Sequence, residues 1–455
     1  MAVKKTNIMS IRTIGSTAIV AGLLLLGGCE SLTGPGGIFG DEVKIPLPGE
    51  RISVLKHRRS LNPDPEFAEK EILLPAPSPN TDWPQAGGYA NHAMHHIAIS
   101  DNLGFAWSAD VGDGADEAIR LIGSPIVAGG RAYAMDTGSN VSAFDAKSGK
   151  QLWRTSLTPD EEDDDHISGG LAYEDGKIYV TTGFAQVISL DAGSGKILWR
   201  KSLAGPMRTA PTARGGRVFA ITVDSRMYAL NGATGEELWT FAGISKIASL
   251  LGGASPAVDS GVVVAPFASG ELVALKVENG RVLWSQSLTT PRRTDVVSAL
   301  SHIRGRPIID RGRVFAISHG GLMVSIDLRS GRRIWDKEIG GLSSPWVAGD
   351  YIFLLTNDAE IAAISRETGS VHWVRTLPQY EDPETRDFPI VWNGPLLASD
   401  RLIISSSIGE VYAVSPYDGR IMGKIDMPSG ISVPPIIAGG RVFFLADNAD
   451  LVAYQ

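Results

Sequence analysis

Tryptophan recurs along this chain at Trp107, Trp153, Trp199, Trp239, Trp284, Trp335 and Trp373, at intervals of 46, 46, 40, 45, 51 and 38 residues. A period of that length predicts four short strands per unit, and no sustained helical periodicity competes with it. Inside each unit, apolar alternations such as Val218 and Ala220, then Tyr228 and Leu230, are separated by Gly-rich turns such as Gly215-Gly216 and Thr234-Gly235. The units end on a common motif, written Asp-Ala-Lys-Ser-Gly-Lys-Gln-Leu-Trp at 145–153. In it, Asp and Ser accept backbone hydrogen bonds in a tight turn, Gly takes a positive φ, and Lys faces water. The Trp is expected to plug between neighbouring units, burying on the order of 200 Å2 with its N–H free to bond across the junction.

Seven such copies lie between Gly123 and Gly423, and the ends of the repeat region supply the parts of one more. Phe105-Ala106-Trp107 has the outer-strand pattern without three strands before it, while Val433 to Tyr454 has three inner strands and no outer one. Joined, they make an eighth unit that leaves no open sheet at either end. The expected fold is therefore all-β, an eight-bladed β-propeller of four-stranded blades with Trp-docking repeats, closed by strands from both termini. The seventh copy carries Met422-Gly423 at the Trp position, so its junction is expected to be the weakest of the ring.

The N-terminus addresses the compartment. Lys4, Lys5 and Arg12 precede an apolar run from Ile14 to Leu26 that is too short and too broken by Gly and Ser to span a bilayer, then Gly27-Gly28 lead to Cys29. Leu26-Gly27-Gly28-Cys29 resembles the lipobox of bacterial lipoproteins, which implies cleavage before Cys29 and its acylation. Glu30, in place of the Asp that favours inner-membrane retention, points to the outer membrane. Residues 1–28 read as a signal peptide, 29–80 as a lipidated Cys and Pro/Gly-rich tether without an assigned fold, and 81–455 as the propeller. Cys29 is the only cysteine, so no intramolecular disulfide supports the mature chain. Loss of 1–28 removes three cations and no acid, taking the net charge from −8 to −11. Nucleic acid and anionic lipid surfaces are excluded as partners on that balance, leaving the lipid anchor as the membrane contact.

The repeat, together with Asp82-Trp83-Pro84-Gln85-Ala86-Gly87-Gly88-Tyr89-Ala90-Asn91, resembles two families that share a Trp-docked eight-bladed propeller: the BamB assembly lipoproteins and the pyrroloquinoline quinone dehydrogenases. The quinone enzymes resemble one another in a vicinal cysteine disulfide beside the cofactor and in a Ca2+ bound by Glu, Asn and Asp near an Asp base. One cysteine cannot make that disulfide, and most connections here are too short to build an enzyme's funnel. The lipoprotein resemblance covers nearly all of Cys29 to Gln455 and is closest over blades four and five. It implies a scaffold in outer-membrane β-barrel assembly, on the periplasmic face, with no catalysis and no cofactor. It also implies that two neighbouring loops grip the periplasmic domains of a BamA-type subunit. By position the first loop gives Ala248, Leu250 and Leu251, and the second His302 and Arg304. The family pattern has Arg after the leucines and Asp-x-Asp in the second loop, so charge signs have moved here. Leu250 and Leu251 read equally as inter-blade packing. Unfolded outer-membrane proteins are a further expected partner, by pairing with exposed strand edges.

Two other clusters stand out in the sequence. His92, His95 and His96 have the spacing of a metal site on one helical turn, yet no carboxylate or thiol completes the set, so they read as a polar capping segment and no metal is expected. The acidic run 161–165 with His166 lacks the Gly and spacing of a Ca2+ loop and reads as a solvated loop. No nucleophile elbow, zinc-protease or phosphate-loop motif occurs. A polysaccharide- or peptidoglycan-binding propeller is the other class of reading, and it requires exposed aromatics gathered on one face.

Overall fold

The structure, a computed structural model, describes residues 61–162, 166–246, 250–289 and 301–455. The chain separates into Met1–Arg59 and Ser60–Gln455, and every described residue belongs to the second part. Cys29 and Ala248 lie outside the described residues, as do Asp163, Asp164 and Asp165.

Eight four-stranded antiparallel sheets follow one another along the chain. Blade 1 is formed by Ile126–Ala128, Arg131–Met135, Asn140–Asp145 and Gln151–Ser156, and the pattern repeats in blades 2 (170–202), 3 (212–242), 4 (257–287), 5 (308–337), 6 (346–376) and 7 (392–426), the last ending on Ile421–Asp426. Blade 8 joins Ile436–Ala438, Arg441–Leu445 and Asp450–Tyr454 to the outer strand Phe105–Asp110, so strands from both ends of the repeat region close the ring. Gly104 and Gln455 exchange two 2.9 Å backbone hydrogen bonds where the other blades have a turn.

The inner three strands of each blade are almost wholly buried between neighbouring blades, whereas the outer strand buries chiefly its Trp. A β-bulge selects that residue. In blade 3, Ala229 pairs with Trp239 and Leu230 with Glu237, so Leu238 is the extra residue, left 44% exposed. The same shift recurs one residue before Trp153, Trp199, Trp284, Trp335 and Trp373. Bulges re-aim side chains, and here the bulge turns each indole toward the next blade.

The indole lands on the next blade's glycine turn. Trp153 donates its Nε1–H to the Ala192 carbonyl at 3.2 Å, Trp199 to Gly232 at 3.1 Å, Trp239 to Val277 at 3.0 Å and Trp284 to Leu328 at 2.8 Å. Trp335 reaches Arg366 at 3.0 Å and Trp373 reaches Pro416 at 2.9 Å. Trp107 packs against Gly149 in the same way, but its buried N–H has no partner among the described residues. Gly235, at φ +76°, shows why glycine is required: a Cβ there would lie 2.8 Å from the Trp199 ring. The turn is held by its own side chains. Asp145 accepts the Ser148 N–H at 2.8 Å and hydroxyl at 2.7 Å, and these hold its carboxyl below the usual range.

The seventh junction differs for a topological reason. Met422-Gly423 faces blade 8, whose third and fourth strands are joined by no turn, so there is no positive-φ glycine turn to receive an indole. The outer strand of blade 7 is exposed throughout. The apolar cluster at this place nevertheless runs continuously through parts of blades 6, 7, 8 and 1.

Residues 61–80 correct the expectation of a tether without fold up to residue 80. Asp64 exchanges hydrogen bonds with Val371 at 2.9 and 2.8 Å, the short helix Pro65–Ala68 sets Phe67 edge-on to His372, and Ile72 is buried. This part of the chain is fixed to the outside of blade 6.

Gly235→Ala combines a disfavoured positive φ with a clash on Trp199, and is expected to cost about 2–4 kcal/mol. Gly215, at φ +63°, has nothing within 4 Å of its would-be Cβ. Gly215→Ala should cost only the backbone part, about 1–2 kcal/mol. The thermal midpoints of the two variants, measured side by side, check this; equal losses would remove the indole contact as the cause.

Candidate functional site

The innermost strand of each blade has an inner edge facing the ring's axis, with N–H and C=O groups that need partners. A strap, residues 80–99, supplies them in one circuit. Gly439 of blade 8 donates to Asn80 O at 2.8 Å, and Trp83 exchanges bonds of 2.6 and 2.9 Å with Val127 of blade 1. Tyr173 of blade 2 donates to Pro84 O at 2.7 Å, and Ala213 of blade 3 donates to the Gln85 Oε1 at 2.9 Å. Blades 4 and 5 follow, with Val258 to Ala90 O at 2.7 Å and Ile309 to Asn91 O at 2.9 Å. The Trp346 indole of blade 6 donates to His95 O at 2.7 Å, and Ser399 of blade 7 donates to Ile97 O at 2.9 Å. The strap lies toward the first turn of each blade, since Asp82 accepts the Gly129 N–H at 2.9 Å and Asn80 the Gly439 N–H.

The three strap histidines do not converge: the rings of His92 and His95 reach separate groups of blade 5, and that of His96 reaches blade 7. His92 donates its Nδ1–H to the Pro307 carbonyl at 2.8 Å, His95 stands 3.5 Å from Asp310, and His96 bonds Pro75 O at 2.7 Å and the Asp400 N–H at 3.0 Å. Among the described residues no group of His, Cys, Asp and Glu gathers as a metal site. Burial, reinforced by the Arg306 charge, pushes the His92 pKa down to about 3.

Above the strap lies a cavity of about 210 Å3, with Ala86 of the strap at its base and the inter-blade loops as its wall. The loops of this face include both of those expected to hold a partner. They are joined: the Leu250 N–H donates to His302 Nδ1 at 3.1 Å. Leu251 is 37% exposed, but His302 is 5% exposed and cannot offer its ring to a partner, because that ring props the first loop. Burial, with Arg304 and His319 nearby, lowers its pKa to about 4. Arg304 faces the cavity rather than the outer surface, where Arg208 and Arg306 join it. No spacing in the sequence announced that convergence; the Arg-Gly-Arg run at 304–306 was its only local sign. In the acidic run, Glu162 lies 3.9 Å from His166.

This geometry defines a Trp-docked, eight-bladed propeller built of PQQ-like repeats, with one mouth strapped and the other ringed by loops. Residues 95–166 and 137–375 match the family model described as outer membrane protein assembly factor BamB, and the chain belongs to that family. The assembly factor BamB of Yersinia pestis is 27% identical over 354 residues, covering 76% of this chain and 88% of that one. That of Escherichia coli K12 is 27% identical over 349 residues, covering 75% and 86%. The crystal structure of BamB from Moraxella catarrhalis superposes with a TM-score of 0.65 at 18% identity, over 78% of this chain and all 100% of that one. A europium-containing methanol dehydrogenase gives 0.64 at 15% identity, over 80% and 89%. At such identities the solved structures speak to the fold alone. The residues do not fit the quinone enzymes' calcium and cofactor machinery, because among the described residues no Asp, Glu or Cys lines the cavity.

Both histidines have depressed folded pKa values, so the stability each supplies is complete above about pH 6.5 and is lost as pH falls toward 4 and then 3. Each contributes a slope of about 1.4 kcal/mol per pH unit in that window. His92→Asn, which keeps a donor and suits φ +61°, should flatten the fall in stability between pH 6.5 and 4.5, measured by denaturant unfolding. An unchanged slope would mean that His92 is not held neutral.

Proposed function

We propose that this protein is a non-catalytic scaffold of outer-membrane β-barrel assembly, held by an acylated Cys29 on the periplasmic face of the outer membrane. In this reading the loop face docks a BamA-type subunit through its periplasmic domains. The observation that carries it is the joining of the 250–251 and 302–304 loops into one patch on the unstrapped face, in a chain of this family. The contact residues are narrowed to the exposed Leu251 and its neighbours, with His302 as an internal prop. An apolar side chain ringed by polar loop is the usual form of an interface anchor.

Among the described residues no carboxylate or thiol lines the cavity, which weighs against a quinone-dependent oxidation. A sugar-binding face is disfavoured as well: the exposed aromatics Tyr89, Phe105, Phe388 and Tyr417 belong to the strap, the outer strand of blade 8, an inter-blade hairpin and a turn of blade 7. Guidance of unfolded clients would draw on the exposed outer strand of blade 7, Ile421–Asp426, whose edge is open to pairing.

Affinity isolation from detergent-solubilised outer membrane tests the docking. The wild-type chain is expected to recover the barrel-forming subunit, and Leu251→Asp to reduce that recovery about ten-fold or more, as loss of an interface anchor does. Equal recovery by both chains would place the contact elsewhere. Cys29→Ser is expected to move the protein from the membrane to the soluble envelope fraction on cell fractionation; retention in the membrane would overturn the anchor.

A further inference from the structure

Three arginines, Arg208, Arg304 and Arg306, line the cavity of the loop face, and among the described residues no Asp or Glu lines it with them. Among the described residues none of the three guanidinium groups has a carboxylate within ion-pair distance, whereas Arg154, Arg313, Arg333 and Arg366 are all paired. The contrast is sharp in a chain whose net charge is −8. Asp447 bonds the lining residue Ser432, accepting its hydroxyl at 2.9 Å and its N–H at 3.1 Å, and is not itself part of the lining.

Gathering cations in a partly enclosed space is unfavourable unless something offsets it, since unpaired buried charge is costly and like charges repel. The repulsion is visible: burial and the Arg304 charge lower the Arg306 pKa to about 10, and burial lowers that of Arg304. Two buried polar atoms there also lack partners among the described residues, the Arg306 Nε and the hydroxyl of Thr209, a residue only 9% exposed. The lining adds Ser124, Ser255 and Asn357 as neutral donors. Guanidinium forks and hydroxyls are the donor set for carboxylate and phosphate oxygens.

We propose that this cavity is a binding site for a small, multiply charged oxyanion, bearing carboxylate or phosphate groups, held by Arg208, Arg304 and Arg306. Its size sets the scale of the ligand: 210 Å3 far exceeds the roughly 10–15 Å3 that one water needs. The strap across the far mouth prevents a chain from threading through. The site does not depend on which subunit docks on the loop face.

Calorimetric titration of the detergent-solubilised full-length protein with inorganic pyrophosphate, and separately with citrate, tests it. Saturable binding of at least one probe at one site per chain is expected, and the tighter probe identifies phosphate or carboxylate as the recognised chemistry. Arg304→Gln and Arg208→Gln should each weaken it about ten-fold or more, the loss of a charged hydrogen bond. Arg208 is exposed, so its variant keeps the fold even if substitutions deeper in the cavity do not. Arg329→Gln, on an exposed turn of blade 5, should leave binding unchanged. No saturable binding of either probe, or binding undiminished in both cavity variants, would overturn the site.

Discussion

The indole of one blade resting on the glycine turn of the next is the contact from which the ring follows. It ties residues about forty apart into a chain of nearest-neighbour junctions, so each blade buries its faces only when its neighbours are present. The contact makes three demands at once. The bulge must turn the Trp inward, the turn must place glycine at positive φ, and a backbone carbonyl must accept the indole N–H. For Trp239 these are Leu238 in blade 3 and Gly280 and Val277 in blade 4. The missing Trp at Met422-Gly423 obeys the same logic, because in blade 8 Gly104 and Gln455 meet where the receiving turn would be.

A ring made this way still has an axis lined by eight short strand edges. The strap satisfies those edges and, in doing so, makes the two faces of the molecule unlike. One mouth is crossed by Trp83 and Ala90, whose backbone groups bond the blades, and by Gln85, whose side chain bonds blade 3. The other keeps its inter-blade loops free to carry a partner patch, an anion site, or both. The difference between the faces thus comes from a segment that has no blade of its own.

Much of the fold was legible in the sequence because the Trp period and the Asp-Ser-Gly turn are side-chain signals with fixed spacing. The composite eighth blade could be inferred from Phe105-Ala106-Trp107 and Val433 to Tyr454 because each fragment kept its strand pattern. The docking of 61–80 and the circuit of the strap could not, since they rest on backbone groups pairing with residues hundreds of positions away, and any sequence with the right length can make such bonds. The site was legible in part. The adjacency of the two loops was expected, but whether His302 and Arg304 point out or in depends on loop geometry that carries no periodic pattern. Arg208 lies about a hundred residues from Arg304 and Arg306 and meets them only because the ring closes.

The account stands on the division between a strapped face and a docking face. Hydrogen–deuterium exchange with mass spectrometry, on the protein alone and with the barrel-forming subunit bound, tests that division directly. Added protection is predicted in peptides covering 250–256 and 301–306, with the strap at 80–97 slow to exchange in both states and unchanged by binding. Protection gained across the strap and the first turns, with the loop peptides unaffected, would contradict it.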